Sequence, residues 1–304
     1  MEKLIECKSI TKTFGNIKAL NDLDFNLYDG DIYGLVGANG AGKSTLLKIL
    51  AGHIKESSGE VIILSENGDN HNKVREEMGF LVENPGFYSY MTGKKNLKYQ
   101  CDLKGINYDS EIEDLAKEFK IDNALNKKVK GYSTGMRQRL GLVASMINRP
   151  KILILDEPIN GLDPTGIIEL RNFILKINKE WNTTIIISSH ILNELSLIAT
   201  RVGFIKDGHM VDELTSEELK ERSKMCIKLI VENEDSSKVI AILEEELKIT
   251  DYKVLSDGEI EIYNDINIID IQRKLASHDI YPKSISNKEN SLEDYYIELM
   301  GGNK

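Results

Sequence analysis

"GANGAGKST", residues 37–45, decides how this 304-residue chain is built. An apolar run at residues 31–36 precedes it and another at residues 46–52 follows it, which predicts a strand, a glycine-rich loop and a helix. Its pattern, G-x-x-x-x-G-K-S, is that of a phosphate-binding loop. Glycines let backbone N–H groups curl around an anion, and the following helix points its N-terminus at that anion. The alternative, a glycine-rich turn without a ligand, is disfavoured by the strand–loop–helix context.

Two side chains of this loop suit a nucleotide that carries a metal ion. The ammonium of Lys43 is placed to reach the terminal phosphates, and the hydroxyl of Ser44 is a ligand for Mg²⁺. Mg²⁺ binds through few protein groups and keeps several waters, so one hydroxyl here is a useful contribution.

"KILILDEPINGLDP", residues 151–164, supplies the carboxylates that such a site needs. Its apolar residues 152–155 predict a parallel strand buried on both faces. Asp156, at the strand end, is expected to hold the Mg²⁺ shell, and Glu157 to act as general base on the attacking water. The alternative is a solvated acidic strand end. A further apolar run, "TTIIISSHIL", ends near His190, which is placed to donate a hydrogen bond to a γ-phosphate at the same sheet edge. Taken alone, a histidine after a strand is more often a surface or core residue.

Composition and charge narrow the class of protein. The net charge of −10 argues against broad nucleic-acid binding, so no nucleic-acid partner is expected. Three cysteines without a CxxC pair fit a reducing compartment and predict neither zinc nor a disulfide framework. No signal peptide and no run of apolar residues long enough for a membrane helix is found in the sequence. Residues 1–213 carry 27 basic and 29 acidic side chains and residues 214–304 carry 12 and 20, which indicates a domain boundary.

The ordered set of motifs resembles the ATPase subunit of an ATP-binding-cassette (ABC) transporter. Besides the phosphate loop and the strand that ends at Asp156, "NGLDP" (residues 160–164) matches the D-loop. "GYSTGMRQRLGLVASMI" (residues 131–147) matches the signature region, read as a helix with Ser133 at its N-cap. The resemblance covers roughly residues 1–213, and "ENPGFY" with the short signature is similar to the branch linked to bacitracin and lantibiotic self-protection.

The resemblance implies a full set of site residues. The catalytic group is Glu157, His190 (the switch histidine) and Lys43. Metal ligands are Ser44, Glu83 and Asp156. ATP contacts are Phe14 (stacking on adenine), Gly37, Asn39, Gly40, Ala41, Gly42, Lys43, Ser44, Thr45, Ser133, Gly135 and Asp163. It implies ATP and Mg²⁺ as cofactors, a second copy of the chain in a head-to-tail ATP sandwich, and an integral-membrane permease as partner. The chain is then cytoplasmic, on the inner face of the membrane.

Two positions depart from the family pattern. The usual signature Leu-Ser-Gly-Gly-Gln is Tyr132-Ser133-Thr134-Gly135-Met136 here, so the phosphate-contacting Ser133 and Gly135 remain. Glu83 stands where the family usually has glutamine near the metal and the attacking water. Glutamate adds a negative charge that Mg²⁺ accepts. The resulting hypothesis is that Glu83 tightens metal dependence and still couples the site to the membrane partner.

The expected fold is an α/β, RecA-like phosphate-loop core with an antiparallel β-subdomain and a helical subdomain at about residues 84–150. These form an ABC nucleotide-binding domain, residues 1–213. Aromatic side chains in "NPGFYSYMTG" (Phe87, Tyr88 and Tyr90) are candidates for the permease contact, and packing inside the subdomain is an equal alternative. Residues 214–304 read as β-α-β-β-α-β with a final helix capped by Ser291 and Asp294, a ferredoxin-like accessory domain. A regulatory or dimer-bracing role and a merely stabilising role stay open for it.

Three functions are compatible with a phosphate-loop site of this kind. The leading one is ATP-driven transport, with export of a peptide antibiotic or similar amphipathic compound as the expected task. A soluble ABC ATPase that acts on the ribosome or on DNA is the alternative. It is disfavoured because the chain has one cassette and no long coiled-coil insertion before the signature. A binding module without hydrolysis is disfavoured by the presence of Glu157 and His190.

Overall fold

The computed structural model describes residues 2–67, 71–83, 85–222, 225–255, 258–264, 266–289, 295–296, 299 and 301. The chain divides into two compact units, Met1–Ser216 and Glu217–Lys304. The capping pair Ser291 and Asp294, and most of the final helix expected with it, lie outside the described residues. Within the described ranges, none of the helices has the length and apolarity needed to span a bilayer.

The first unit alternates strands with helices. Its strands are β1 (Lys3–Phe14), β2 (Ile17–Tyr28), β3 (Ile32–Val36), β4 (Ser58–Ile63), β5 (Glu66–Asn67), β6 (Met78–Leu81), β7 (Ile152–Asp156), β8 (Thr184–Ser189), β9 (Arg201–Lys206) and β10 (His209–Thr215). Its helices are α1 (Lys43–Leu50), α2 (His71–Val74), α3 (Gly93–Leu103), α4 (Ser110–Glu118), α5 (Thr134–Ser145), α6 (Pro164–Trp181) and α7 (Leu192–Ser196), and α8 (Ser216–Arg222) follows at the junction of the two units.

Two sheets organise this unit. The larger has the order β10-β9-β3-β8-β7-β6, parallel throughout except for the antiparallel pair β9–β10. The smaller is antiparallel with the order β2-β1-β4-β5. Every residue of β3, β7 and β8 is buried, as predicted for parallel strands covered on both faces. One apolar cluster joins side chains of the small sheet, of α1 and of the large sheet, so the loop before α1 rests on the core.

The helical subdomain predicted near residues 84–150 is formed by α3, α4 and α5 with short 3₁₀ turns between them. Each of the three helices begins at a residue whose side chain accepts a backbone N–H of the first turn: Thr92, Asp109 and Ser133. The predicted N-cap at Ser133 is therefore found, with its hydroxyl accepting from the N–H of Met136 at 3.2 Å.

The second unit has the predicted β-α-β-β-α-β order. It consists of β11 (Met225–Ile230), α9 (Ser236–Glu245), β12 (Tyr252–Val254), β13 (Glu259–Ile262), α10 (Ile268–Ala276) and β14 (Ser284–Glu289). The antiparallel sheet order is β12-β13-β11-β14, which is the ferredoxin-like arrangement expected from the sequence. Its apolar side chains form a core of their own. Gly258 has a φ of 75°, as a glycine in the turn before β13 can adopt.

Candidate active site

Strand order brings three polar loops to one edge of the large sheet. β8 lies between β3 and β7, with Val36 paired to Ser189 and Asp156 paired to Ser188. Because these strands are parallel, the loops that follow them leave the same edge. The glycine-rich loop, Glu157 and His190 are therefore neighbours. This is the position at which open α/β sheets bind ligands.

Lys43 is held at the start of α1 with its ammonium turned back into the loop. The side chain is 6% exposed, and Nζ donates to the carbonyls of Gly37 at 2.6 Å and Ala38 at 3.3 Å. Gly42 precedes it with a φ of 116°, and a Cβ there would lie 2.8 Å from the carbonyl oxygen of Ala19. No side chain caps the N-terminus of α1. The arrangement leaves backbone N–H groups and one buried cation facing the same space.

Ser188 fixes the carboxylate of Asp156 and the backbone of Glu157. The Ser188 hydroxyl donates to Asp156 Oδ1 at 2.6 Å, and it accepts the backbone N–H of Glu157 at 2.9 Å. Glu157 has a φ of 48°, a left-handed conformation that turns its side chain out of the strand direction. The Nδ1–H of His190 then donates to Glu157 Oε2 at 2.8 Å, and Oε1 lies 3.6 Å from Lys43 Nζ.

Two adjoining cavities open on these groups. One of about 250 Å³ is lined by Ala38, Asn39, Gly40, Gly42, Lys43, Ser44, Thr45, Glu157, Asn160 and His190. The second, of about 460 Å³, is lined by Glu83, Gln138, Asp156, Glu157 and Asn160. Glu157 and Asn160 belong to both. The structure therefore gathers most of the predicted phosphate-loop residues with Glu157 and His190 around the first cavity, and Asp156 with Glu83 around the second.

The donor set fits an anion accompanied by a hard metal ion. The Glu157 carboxylate faces the Lys43 ammonium and so occupies the place at this cation that a phosphate could take. Ser44, Asp156 and Glu83 offer the oxygen ligands that Mg²⁺ prefers. Among the described residues, no group of three or more His, Cys, Asp or Glu side chains is arranged to hold a metal by itself. Mg²⁺ here would complete its shell with phosphate oxygens and water.

Glu83 follows β6 with a φ of 63° and lines the second cavity. Its Oε1 forms an ion pair with the ammonium of Lys48, on the last turn of α1. Glu83, which is predicted as a metal ligand, therefore lies at the site, and its carboxylate is paired with the ammonium of a neighbouring lysine. Pro85, farther along this loop, packs on α5: a Cβ on Gly141 of that helix would lie only 2.6 Å from Pro85.

The signature segment is tied to its own chain at two places. The Tyr132 hydroxyl donates to the carbonyl of Ala124 at 2.6 Å, and burial raises the pKa of this phenol. Gly93 leaves room for that hydroxyl, since a Cβ at residue 93 would collide with it. A Cβ on Gly135 would lie 2.6 Å from the carbonyl oxygen of Gly161. The first turn of α5 and the "NGLDP" loop therefore pack with their backbones in contact. A side chain at residue 135 would not fit between them.

Several predicted ATP contacts lie apart from these cavities. Neither lining includes Gly37 and Ala41 of the phosphate loop, nor Phe14, Ser133, Gly135 or Asp163. Phe14 ends β1, half exposed, with the Lys12 ammonium 5.0 Å from its ring centroid. Asp163 accepts from Arg139 at 3.1 Å. The roles of these residues toward ATP stay predictions. In the predicted head-to-tail dimer, Ser133 and Gly135 would contact the ATP of the other copy, so they need not reach the cavity of their own chain.

Sequence reasoning did not single out four side chains that shape the site. Ser188 is the first serine of "SSH" and lies near the end of the buried strand β8, and its partner Asp156 was the available signal. Gln138, buried in α5, donates to the carbonyl of Pro158 at 3.0 Å and so braces the loop after Glu157. Asn160 was read only as part of the D-loop. Lys48 gave no signal, because a lysine on an amphipathic helix is usually a solvated residue.

Comparisons with known proteins agree with this geometry. The sequence profile of the ABC transporter family matches residues 20–160. The bacitracin transport ATP-binding protein BcrA of Bacillus licheniformis is 37% identical over 99% of both chains. The lantibiotic transport ATP-binding protein SrtF of Streptococcus pyogenes is 39% identical over 69% of this chain and 90% of its own length. The dimeric ATP-binding cassette MJ0796, solved with ADP and phosphate, superposes with a TM-score of 0.64 at 25% identity, covering 70% of this chain and 98% of that one.

Proposed function

This chain belongs to the ABC transporter family as an ATP-binding and ATP-hydrolysing subunit, and we propose that it powers a membrane permease that exports a peptide antibiotic or a similar amphipathic compound. The observation that carries the ATP-hydrolysing part of the proposal is the contact series Lys43–Glu157–His190 at the rim of a cavity framed by the phosphate loop. A buried cation, a carboxylate and an imidazole in this order suit attack of water on a terminal phosphate.

Each side chain has a separate task in that reaction. Lys43 moves from Glu157 to the phosphate oxygens when ATP enters, which frees the carboxylate. Glu157 then orients the attacking water and accepts its proton. His190 holds the carboxylate through Oε2 and keeps Oε1 for the water. We assign Ser44, Asp156 and Glu83 to Mg²⁺, which when bound neutralises charge on the phosphate oxygens.

Pairing of two copies supplies the second half of the site. Ser133 and Gly135 stand at the N-terminus of α5, and a helix N-terminus with a hydroxyl and free N–H groups attracts anions. Neither lines its own chain's cavity. We assign them to the γ-phosphate held by the other copy, with Asp163 beside it and Phe14 on the adenine. The dimeric state of the relative cassette MJ0796 supports this arrangement.

We propose an exposed surface of aromatic and apolar side chains as the permease contact. Tyr88 packs against Tyr90 and Tyr99, with ring centroids 5.8 and 5.3 Å apart. Tyr90 is 63% exposed, and Leu103, one turn beyond Tyr99 on α3, is 65% exposed. Phe87 is only half-buried. Clustered apolar exposure of this kind is typical of a protein contact. We place the chain at the cytoplasmic face of the membrane through this aromatic surface, which comprises Tyr88, Tyr90, Tyr99 and Leu103.

The cargo assignment rests on the relatives. Similarity to the bacitracin transport protein runs through both units, whereas similarity to the lantibiotic transport protein covers 69% of the chain. This favours the bacitracin-type branch, and it supports an accessory role for residues 214–304 that this branch shares. A soluble ATPase acting on the ribosome is not favoured, because these relatives are transport proteins by name.

A capture experiment tests the proposal. Wild type and Glu157→Gln are expressed and incubated with membranes of the host and MgATP. Phosphate release, dimer mass by light scattering and co-purified proteins are then measured. We expect Glu157→Gln to lose hydrolysis, to form a dimer only with MgATP, and to retain a polytopic membrane protein in that state.

Glu118→Gln is the matched control, since Glu118 is a half-exposed carboxylate that pairs with Lys176 on the surface. It should behave as wild type throughout. Recovery of ribosomes in place of a membrane protein would favour the alternative function. Unchanged phosphate release by Glu157→Gln would remove Glu157 from the reaction.

A further inference from the structure

The ion pair between Glu83 and Lys48 joins the loop after β6 to the helix of the phosphate loop. Glu83 holds a left-handed backbone conformation, with a φ of 63°, that a non-glycine residue adopts at some cost. Its side chain is 62% exposed and that of Lys48 is 27% exposed. The pair thus stands at the mouth of the site and is partly hydrated. Ion pairs in such surroundings are weak and readily exchange partners.

The cavity beside this pair is rich in carboxylates. Glu83, Asp156 and Glu157 all line it, together with the amides of Gln138 and Asn160. Glu157 is engaged by Lys43 and His190, and Asp156 accepts from Ser188. Lys48 is the cation that compensates Glu83. A divalent metal entering with ATP therefore meets a carboxylate whose charge is already shared with an ammonium.

From this arrangement we infer that Lys48 is a positioning residue that competes with Mg²⁺ for the Glu83 carboxylate and so sets how strongly ATP binding depends on the metal. The inference rests on the proposed binding of MgATP at this site. Without the metal, Lys48 holds the carboxylate and limits its repulsion of the triphosphate. Bound Mg²⁺ would offer the Glu83 carboxylate a cation of twice the charge, and Lys48 would then give up its ion pair.

The test is a double-mutant cycle read as metal dependence. The Kd of ATP is measured by calorimetry in EDTA and in saturating Mg²⁺ for wild type, Lys48→Met, Glu83→Gln and the double variant. The measured quantity is the ratio of the Kd in EDTA to the Kd in Mg²⁺. We expect Lys48→Met to raise this ratio about fivefold, since about 1 kcal/mol of competition corresponds to that factor. Glu83→Gln should lower the ratio, and Lys48→Met should add nothing once Glu83 is gone.

A general effect of losing a surface lysine would give a different pattern. Lys94→Met, which breaks the exposed pair with Glu113, is the control and should leave the ratio unchanged. An equal effect of Lys48→Met with and without Glu83, or no effect at all, would overturn the inference while ATP still bound. If wild type binds no ATP in either buffer, the proposed function is rejected, and the inference with it. Lys48→Gln repeats the measurement should Lys48→Met fail to fold.

Discussion

The Glu157 carboxylate accepts a hydrogen bond from His190 at 2.8 Å, although the two residues leave different strands of the sheet. A carboxylate only accepts, so the proton of this bond lies on Nδ1 of the imidazole. The bond fixes the rotation of a side chain whose backbone is already in a left-handed conformation. His190 therefore orients the proposed general base in addition to any contact it makes with phosphate.

Replacing His190 tests this orienting role. We expect His190→Ala to lower kcat for ATP hydrolysis by about 10²-fold, in the range found for acid–base groups, with a Kd for ATP close to that of wild type. His190→Gln, whose amide can still donate to Glu157, should recover part of the rate. His53→Ala, at an exposed histidine, is the control. A weaker Kd with unchanged kcat would assign His190 to binding instead.

Substitution of two glycines of the phosphate loop should distinguish an effect on stability from an effect on ATP binding. Gly42→Ala adds a Cβ against Ala19 and Leu20 at a φ of 116°, so we expect it to lower the free energy of unfolding by about 2–3 kcal/mol. Gly40→Ala, at a φ of 84° with open space around it, should cost about 1 kcal/mol and mainly weaken ATP binding. Urea unfolding and ATP titration measure the two effects.

Gly105→Ala is the matched control for backbone strain, because Gly105 has a φ of 67°, open surroundings and no place at the cavity. It should share the stability loss of Gly40→Ala and keep the wild-type Kd for ATP. Equal ATP affinity in Gly40→Ala and Gly105→Ala would argue that the loop does not enclose a phosphate at residue 40.

Two tyrosines should respond oppositely to removal of the hydroxyl. Buried Tyr33 donates to the partly buried Glu213 at 2.7 Å, so Tyr33→Phe should lower the free energy of unfolding by about 1–2 kcal/mol. The buried hydroxyl of Tyr108 has no hydrogen-bond partner among the described residues. Tyr108→Phe should therefore leave the stability unchanged or raise it by about 1 kcal/mol. Thermal and urea unfolding distinguish the two; a large loss in Tyr108→Phe would reveal a partner for this hydroxyl.

The same tyrosine predicts a change of stability at high pH. Burial raises the pKa of Tyr108 to about 12, above the ordinary value of 10. The unfolded chain then loses this proton at lower pH than the folded chain, so the free energy of unfolding falls as pH rises from 10 towards 12. Tyr108→Phe should make this fall less steep. Unfolding curves at pH 9, 10 and 11 measure it, and equal slopes would contradict the raised pKa.

Exposed Tyr90 tests the permease contact. Tyr90→Ser removes a large side chain from the aromatic surface without disturbing the core, so we expect the Glu157→Gln background to retain several-fold less membrane protein. The comparable change Tyr281→Ser, at a 73% exposed tyrosine of the second unit, should leave the captured amount unchanged. Equal capture with both variants would place the contact elsewhere.

Local patterns in the sequence predicted the parts of the fold that local physics determines. Buried β3 and β7 follow from continuous apolar runs and β8 from a β-branched run, and the start of α5 follows from a serine before apolar residues at helical spacing. The structure adds a long hairpin of β1 and β2 closed at Gly15 and Asn16, where "TKTFGNIK" pairs across the turn. The last strand begins at Ser284, two residues after Pro282, which lacks the N–H that a ladder needs.

Contacts between distant residues were beyond such patterns. Lys48 and Glu83 meet only because α1 and β6 are brought together by the sheet, and neither helix periodicity nor strand alternation encodes that distance. Ser188 bonds to Asp156 through the pairing of β7 with β8, which a single sequence does not specify. The exposure of Tyr88 and Tyr90, left open between contact and core, also required the packed structure of α3.

The Tyr132 hydroxyl and the bare α-carbon of Gly93 impose an order on evolutionary change. A chain can replace Tyr132 by leucine while keeping Gly93, since the only losses are one hydrogen bond and some packed volume. The reverse step, a side chain at residue 93 while tyrosine remains, meets a steric collision. The two sites are thus epistatic in one direction. We therefore expect descendants of this sequence to change residue 132 before residue 93.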